Sequence, residues 1–284
     1  MGLSGWLFGK KDRRPSARRV AGRAMVLSTV VCRAYLEREH HAGIHENAEG
    51  RWALLAWLDE CGLGRELEPG EIDFLSTNVG ESSVRTAVNA FWRTEGLGVL
   101  AWSLGRFELP PYDQLTNPDA AQKAVGFLRE PGKDDPRKSG VLRPAEEIRR
   151  FASHITIVSW RLRQFRIDPA RAFPSFDVQI EGDGPVPVEG SLAERKLLGT
   201  GVGEGMDFEA YLRAHPRFRE DWLDGLPLID GDLAIGDRPI ADAEPDEVDK
   251  CTSIAVERQI AAYWLEGDEP TYSAVNPSTF LSAC

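Results

Sequence analysis

The stretch PAEEIRRFASHITIVSWRLRQF, residues 144–165, is the strongest structural signal in the chain. Ile148, Phe151, Ile155, Val158, Leu162 and Phe165 recur at three- and four-residue steps, so they share one face of an α-helix. Pro144 suits a first helical turn, where its missing N–H is not needed. A helix with such a face must bury it, and the remaining sequence supplies helices to bury it against.

Helix signals continue on both sides. The pattern predicts helices over about 16–38, over 51–61 with a stop at Gly62, after Pro69, over 82–104 with a stop at Gly105, over 117–128 and over 246–265. Pro15, Pro69, Pro118, Pro144, Pro169 and Pro216 stand where a first turn tolerates proline, and Asn117 and Asp168 are capping residues beside two of them. Residues 171–206, rich in Gly and Pro, lose the period; a short strand is expected at 176–180 and short helices at 207–214 and 216–223. Residues 232–240 read as a hairpin turning at Gly236-Asp237. The charged segment 129–141 reads as a loop. The expected fold class is mostly α: a multi-helix globular domain over 15–268 with a small β-hairpin and an irregular insert at 171–206. A flexible basic arm (1–14) and an irregular tail (269–284) flank it.

A hydrophobic content of 42%, with eight tryptophans, is enough for a sizeable core. No run of 18 apolar residues predicts a membrane span, and the chain shows no signal-peptide core, so the expected location is cytoplasmic. Gly2 is followed by Trp6 where a myristoylation signal needs Ser or Thr. Cys32, Cys61, Cys251 and Cys284 lack metal spacing and read as reduced thiols.

The net charge of −11 opposes broad nucleic-acid binding. Residues 1–23 hold Lys10, Lys11, Arg13, Arg14, Arg18, Arg19 and Arg23 against Asp12, a net +6, which leaves −17 for the rest. Leu3, Trp6, Leu7 and Phe8 precede this cluster, so residues 1–23 suit a weak contact with an anionic membrane as well as a frayed, solvated terminus.

Two constellations are candidates for chemistry. Glu95 falls in the stripe Val84, Val88, Phe91, Trp92, Val99, Trp102, and Glu257 falls among Ile254, Ala261 and Trp264. A carboxylate on an apolar face needs a partner. The two glutamates are either an acid/base pair or members of a structural network with Arg93, Arg161 or Arg258. Glu37, His41 and His45 are spaced i, i+4, i+8; on one helix they would share a face able to hold Zn or Ni, although Gly43 weakens a helix there. The glycines at 199, 201, 203 and 205 lack the Lys-Ser/Thr of a phosphate loop, and no GxSxG occurs.

Several motifs in order carry a family resemblance: Trp92-Arg93-Thr94-Glu95-Gly96-Leu97 with Leu100-Ala101-Trp102, Leu109-Pro110-Pro111-Tyr112-Asp113, Leu142-Arg143-Pro144-Ala145-Glu146-Glu147-Ile148, Asp232-Leu233-Ala234-Ile235, and Glu257-Arg258 with Trp264-Leu265. Over about residues 20–268 the chain resembles the bacterial family called domain of unknown function 4272. The resemblance implies a mostly helical bacterial protein and brings no catalytic residues. The expected function is a protein-interaction or regulatory module without catalysis or cofactor, with Trp92, Arg93, Trp102, Arg161, Arg258 and Trp264 structural. The alternatives are a metal-assisted hydrolase or acid/base enzyme on the two constellations, and a peripheral membrane protein.

Overall fold

The structure is a computed structural model that describes residues 13–44, 48–130, 135–170 and 224–277. Local chemistry explains where its helices begin and end. Helix α1 (Ala17–His41) starts at Ser16, whose side chain accepts the Arg19 amide. α2 (Ala48–Glu60) is followed by a left-handed Gly62. α3 (Pro69–Ser76) opens on a reciprocal cap between Glu68 and Glu71. α4 (Val84–Ser103) starts at Ser83, and α5 (Pro118–Ala124) starts at Asn117. α6 (Pro136–Ser139) is a single turn capped by Asp135, and α7 (Ala145–Ile167) follows Pro144. α8 (Pro245–Glu266) ends at a left-handed Gly267.

Between α7 and α8 lies a small antiparallel sheet, β1 (Leu228–Ile229), β2 (Asp232–Ile235) and β3 (Arg238–Pro239), in that order. Leu228 faces Leu233, and Ala234 faces Pro239. Gly236-Asp237 turns the β2–β3 hairpin, as the sequence predicts; β1 is additional.

The mostly helical fold agrees with the sequence, with local differences. α5 stops at Ala124, because the chain turns through positive φ at Gly126 and Leu128. The segment 129–141, expected to be a loop, contains α6, made possible by Pro136 in its first turn and the Asp135 cap. Asp168 closes α7 as its C-cap instead of opening a helix at Pro169. The expected insert, its strand and the two helices that follow lie outside the described residues, as do residues 1–12 of the arm.

α1 is buried on nearly all sides. One side joins α4, α7 and α8 in a core that includes Leu27, Leu97, Leu100, Ile155, Leu162 and Ala261. The other side packs Met25 and Val30 against Trp57, Leu58 and Phe74 of α2 and α3. The α7 stripe behaves as predicted: Ile148, Ile155, Val158 and Leu162 are buried, and Phe151 and Phe165 pack at the edge. The α4 stripe does not. Its first two members, Val84 and Val88, are exposed, and the helix faces inward there through Ala87 and Ala90. Small residues let α4 approach α1 closely and leave the bulkier valines outside.

Candidate functional site

The glutamate in the α4 stripe is held by a network joining α4, the 106–117 loop and α8. Glu95 is 1% exposed. Its Oε1 accepts the Thr116 amide (2.8 Å), and its Oε2 accepts the Thr116 hydroxyl (2.9 Å) and Arg258 Nε (2.9 Å). Arg258 is equally buried. Its Nη1 donates to the carbonyls of Pro110 (2.8 Å) and Pro111 (3.1 Å), and its Nη2 to that of Gln114 (2.8 Å). Every nitrogen of the guanidinium therefore has an acceptor, which compensates for removing two charges from water. Burial draws the Arg258 pKa down from its ordinary value, against the opposing pull of Glu95.

Glu257 occupies the next position on α8 and pairs across to α4, where Arg93 Nη1 donates to Oε2 at 3.1 Å. Burial pushes the Glu257 carboxyl above its usual range; Arg93 opposes that shift and the charge of Glu95 adds to it. Of the three arginines expected to serve these glutamates, Arg93 and Arg258 do so. Arg161 pairs instead with Asp232, fastening α7 to β2.

The raised Glu257 pKa has a signed consequence. The folded state holds this proton more tightly than the unfolded chain, so ionising Glu257 costs stability. The contribution is present below the unfolded value near 4.5 and is lost as pH rises from there through the raised folded value. Glu257→Gln is expected to flatten that part of the stability profile, read as urea midpoints across pH beside the wild type. Identical slopes would show that Glu257 titrates as it does in the unfolded chain.

A third set of contacts carries no signal in the sequence. Arg23 is 2% exposed and donates to Glu71 Oε2 (2.8 Å) and the Glu66 carbonyl (2.8 Å). Glu68 accepts the backbone amides of Tyr272 (2.6 Å) and Ser273 (2.8 Å), which straps residues 268–277 across the bundle. Tyr272 is buried against Trp264 (ring centroids 5.8 Å apart), with Arg23 and Arg93 over its ring. A β-carbon at Gly96 would overlap the Tyr272 hydroxyl, so the strap fits only against glycine. Gly98 plays the same part for Thr116: a β-carbon there would lie 2.8 Å from the Thr116 hydroxyl.

Of the aromatic residues expected to be structural, Trp264 is 1% exposed. Trp102 is half-buried, tilted against Phe151 at 4.9 Å and covered by Arg143. Trp92 is half-buried on α4.

The second constellation is only partly assembled. Glu37 is fully buried; its Oε1 pairs with Arg33 Nη2 (2.7 Å), and its Oε2 accepts the Gly80 amide (2.8 Å). His41 Nε2 lies 3.8 Å from the same Oε2. α1 ends at His41, and Gly43 has positive φ, so the helix that would carry His45 onto this face does not continue. His45 lies outside the described residues. Among the described residues no group of three or more His, Cys, Asp or Glu is arranged to hold a metal ion. Cys32 and Cys251 are pushed up to about 11, mainly by burial, so both thiols stay protonated near neutral pH.

Among the described residues no helix is long and apolar enough to cross a membrane. No curated protein and no solved structure matches the chain. A family model, domain of unknown function DUF4272, matches residues 9–181, which include α1 to α7 and therefore Arg93 and Glu95. Their partners Glu257 and Arg258, and the hairpin motif, lie beyond the matched segment. With more than half its length matched, the chain belongs to the DUF4272 family.

Proposed function

We propose that the chain is a protein-interaction or regulatory module that works without catalysis. Its contact surface is the end of the bundle where α1 stops and α4 starts. The observation carrying this reading is a set of large apolar side chains exposed there: Val84 (62%), Trp52 (61%), Ile44 (60%) and Val88 (48%). Two bonds bring their elements together. The Gly80 amide, just before α4, reaches Glu37 near the end of α1. Arg51 donates to the Ser76 carbonyl (2.7 Å) and lies over the Trp52 ring at 4.3 Å. An exposed tryptophan among aliphatic residues is typical of an interface anchor.

The buried charges support the absence of catalysis. A general acid or base must reach a substrate proton. Glu95 already accepts three hydrogen bonds, and Glu37 is engaged by Arg33 and Gly80. These groups read as architecture.

Trp52→Ala is expected to leave folding stability within about 0.5 kcal/mol, as for other exposed positions. It should weaken binding of a purified partner by about 30-fold or more, the effect of losing an interface anchor. The checks are urea unfolding and a binding titration on the same preparation. Unchanged affinity would remove this end of the bundle as the contact surface.

A further inference from the structure

We infer that the groove under the 268–277 strap is a peptide-binding site, which the strap fills as an internal ligand and yields to a nonhelical partner segment that carries an aromatic residue. This goes beyond the surface around Trp52 and lies far from it. The groove runs beside Arg19 and Arg23, and Arg23 is about 27 Å along α1 from His41 at 1.5 Å per residue.

The contacts that hold the strap are those by which a protein reads a peptide main chain. The two oxygens of one carboxylate, Glu68, accept successive amides, those of Tyr272 (2.6 Å) and Ser273 (2.8 Å). Arg19 donates to the carbonyl of Pro270. None of these bonds depends on the side chain of the residue held, so another segment can make them equally well. Selectivity comes from one ring. That of Tyr272 is enclosed by Trp264, by the guanidiniums of Arg23 (4.9 Å) and Arg93 (5.8 Å), and by Gly96, where the missing β-carbon makes the room. Two cations over a ring favour an aromatic side chain over an aliphatic one. A turn, in which the Val275 amide donates to the Tyr272 carbonyl (3.3 Å), then brings in a second buried apolar residue. The partner segment therefore carries an aromatic residue with an aliphatic one at the third position after it.

Three features make the strap exchangeable. Residues 268–276 form neither helix nor strand, and within 268–277 only Tyr272 and Val275 are buried, so the segment can leave without unfolding a helix. The fit is imperfect. The Tyr272 hydroxyl and Arg23 Nε are buried with no hydrogen-bond partner among the described residues, a penalty that falls on the closed state. Finally, the surface uncovered is largely charged. Arg23, Arg93, Glu68, Glu71 and Glu257 line it, and Arg19 covers the Trp264 ring at 5.3 Å. Water can solvate these groups, so the open groove exposes no large apolar patch.

The test is binding of a synthetic peptide with the sequence of residues 268–277 to full-length Tyr272→Ala, whose groove lacks its own ring, and to the wild type. Circular dichroism shows whether both are folded. The peptide is expected to bind the variant, and to bind the wild type about tenfold more weakly, because the attached strap competes at an effective concentration in the millimolar range. Alanine in place of the peptide's tyrosine should weaken binding about 30-fold or more. Phenylalanine there should not weaken it, since the hydroxyl finds no partner. Hydrogen exchange on the wild type needs no variant. The Tyr272 and Ser273 amides should exchange about 100-fold faster, or more, than those of Leu97 and Leu100 in α4, as a locally opening segment does. Should Tyr272→Ala fail to fold, these exchange rates decide. The inference is overturned by strap amides that exchange only as slowly as the α4 core, by a folded Tyr272→Ala chain that does not bind the peptide, or by binding indifferent to loss of the peptide's tyrosine. A wild-type dimer that Tyr272→Ala abolishes would also overturn it, by assigning the groove to the strap of a second copy.

Discussion

Arg258→Ala is expected to destabilise the fold by about 3–5 kcal/mol, the range for removing one partner of a buried ion pair. The size follows from what is left behind. Glu95 would remain nearly sealed from water with only Thr116 as a donor, the carbonyls of Pro110 and Gln114 would lose the Arg258 donor, and that of Pro111 would keep only the Gln114 amide. A buried carboxylate short of donors costs more than a hydrogen bond contributes on balance. The 106–117 loop should therefore loosen along with α8. Arg258→Lys tests the geometry separately from the charge. One ammonium cannot reach a carboxylate on one side and three carbonyls on the other, so Lys should recover only a minor part of the loss. Urea unfolding gives both numbers, and a loss under about 1 kcal/mol for Ala, the scale of an exposed ion pair, would mean that Arg258 is solvated in solution.

The second large effect is expected at Gly96. Gly96→Ala would ordinarily favour a helix by about 0.5–1 kcal/mol. Here its methyl meets the hydroxyl of Tyr272, so a net destabilisation of about 1–3 kcal/mol is expected, as for overpacked cores. The hydroxyl is buried and has no hydrogen-bond partner among the described residues. Tyr272→Phe alone should therefore be nearly neutral, because it removes an unsatisfied polar group along with its bulk. The double substitution should recover most of the Gly96→Ala loss, a coupling readable from a double-mutant cycle. Additive losses would place the strain elsewhere than between these two atoms.

Much of the fold is legible in the sequence because its signals are local. Asn117 caps α5 as the sequence suggests, α1 and α4 begin within two residues of their expected starts, and Gly62, Gly105 and Gly267 follow helix ends. The charged site is legible in part. That Glu95 and Glu257 need arginine partners follows from burial alone. Which arginine serves which glutamate does not, because Arg258 lies 163 residues from Glu95 and both neighbours on α8 reach different residues of α4. Gly96 looks like an ordinary helix weakness until Tyr272 arrives from another part of the chain. The Glu37, His41, His45 reading fails as a single helical face because the spacing argument assumes a helix through Gly43. The exposed valines of α4 escape the hydrophobic pattern for a different reason. Periodicity finds the apolar face, but close packing selected the alanine face beside it.

The proposed contact surface lies at the end of the bundle, with the charged core as its support. Its most direct test is to capture tagged full-length chain from its native host in three forms: wild type, Trp52→Ala and Glu95→Gln. Each form is first shown to be folded, and bound proteins are then quantified by mass spectrometry. A stoichiometric partner is expected on the wild type and on Glu95→Gln, and its loss on Trp52→Ala. A partner that stays with Trp52→Ala and leaves a folded Glu95→Gln would contradict it and move function into the core.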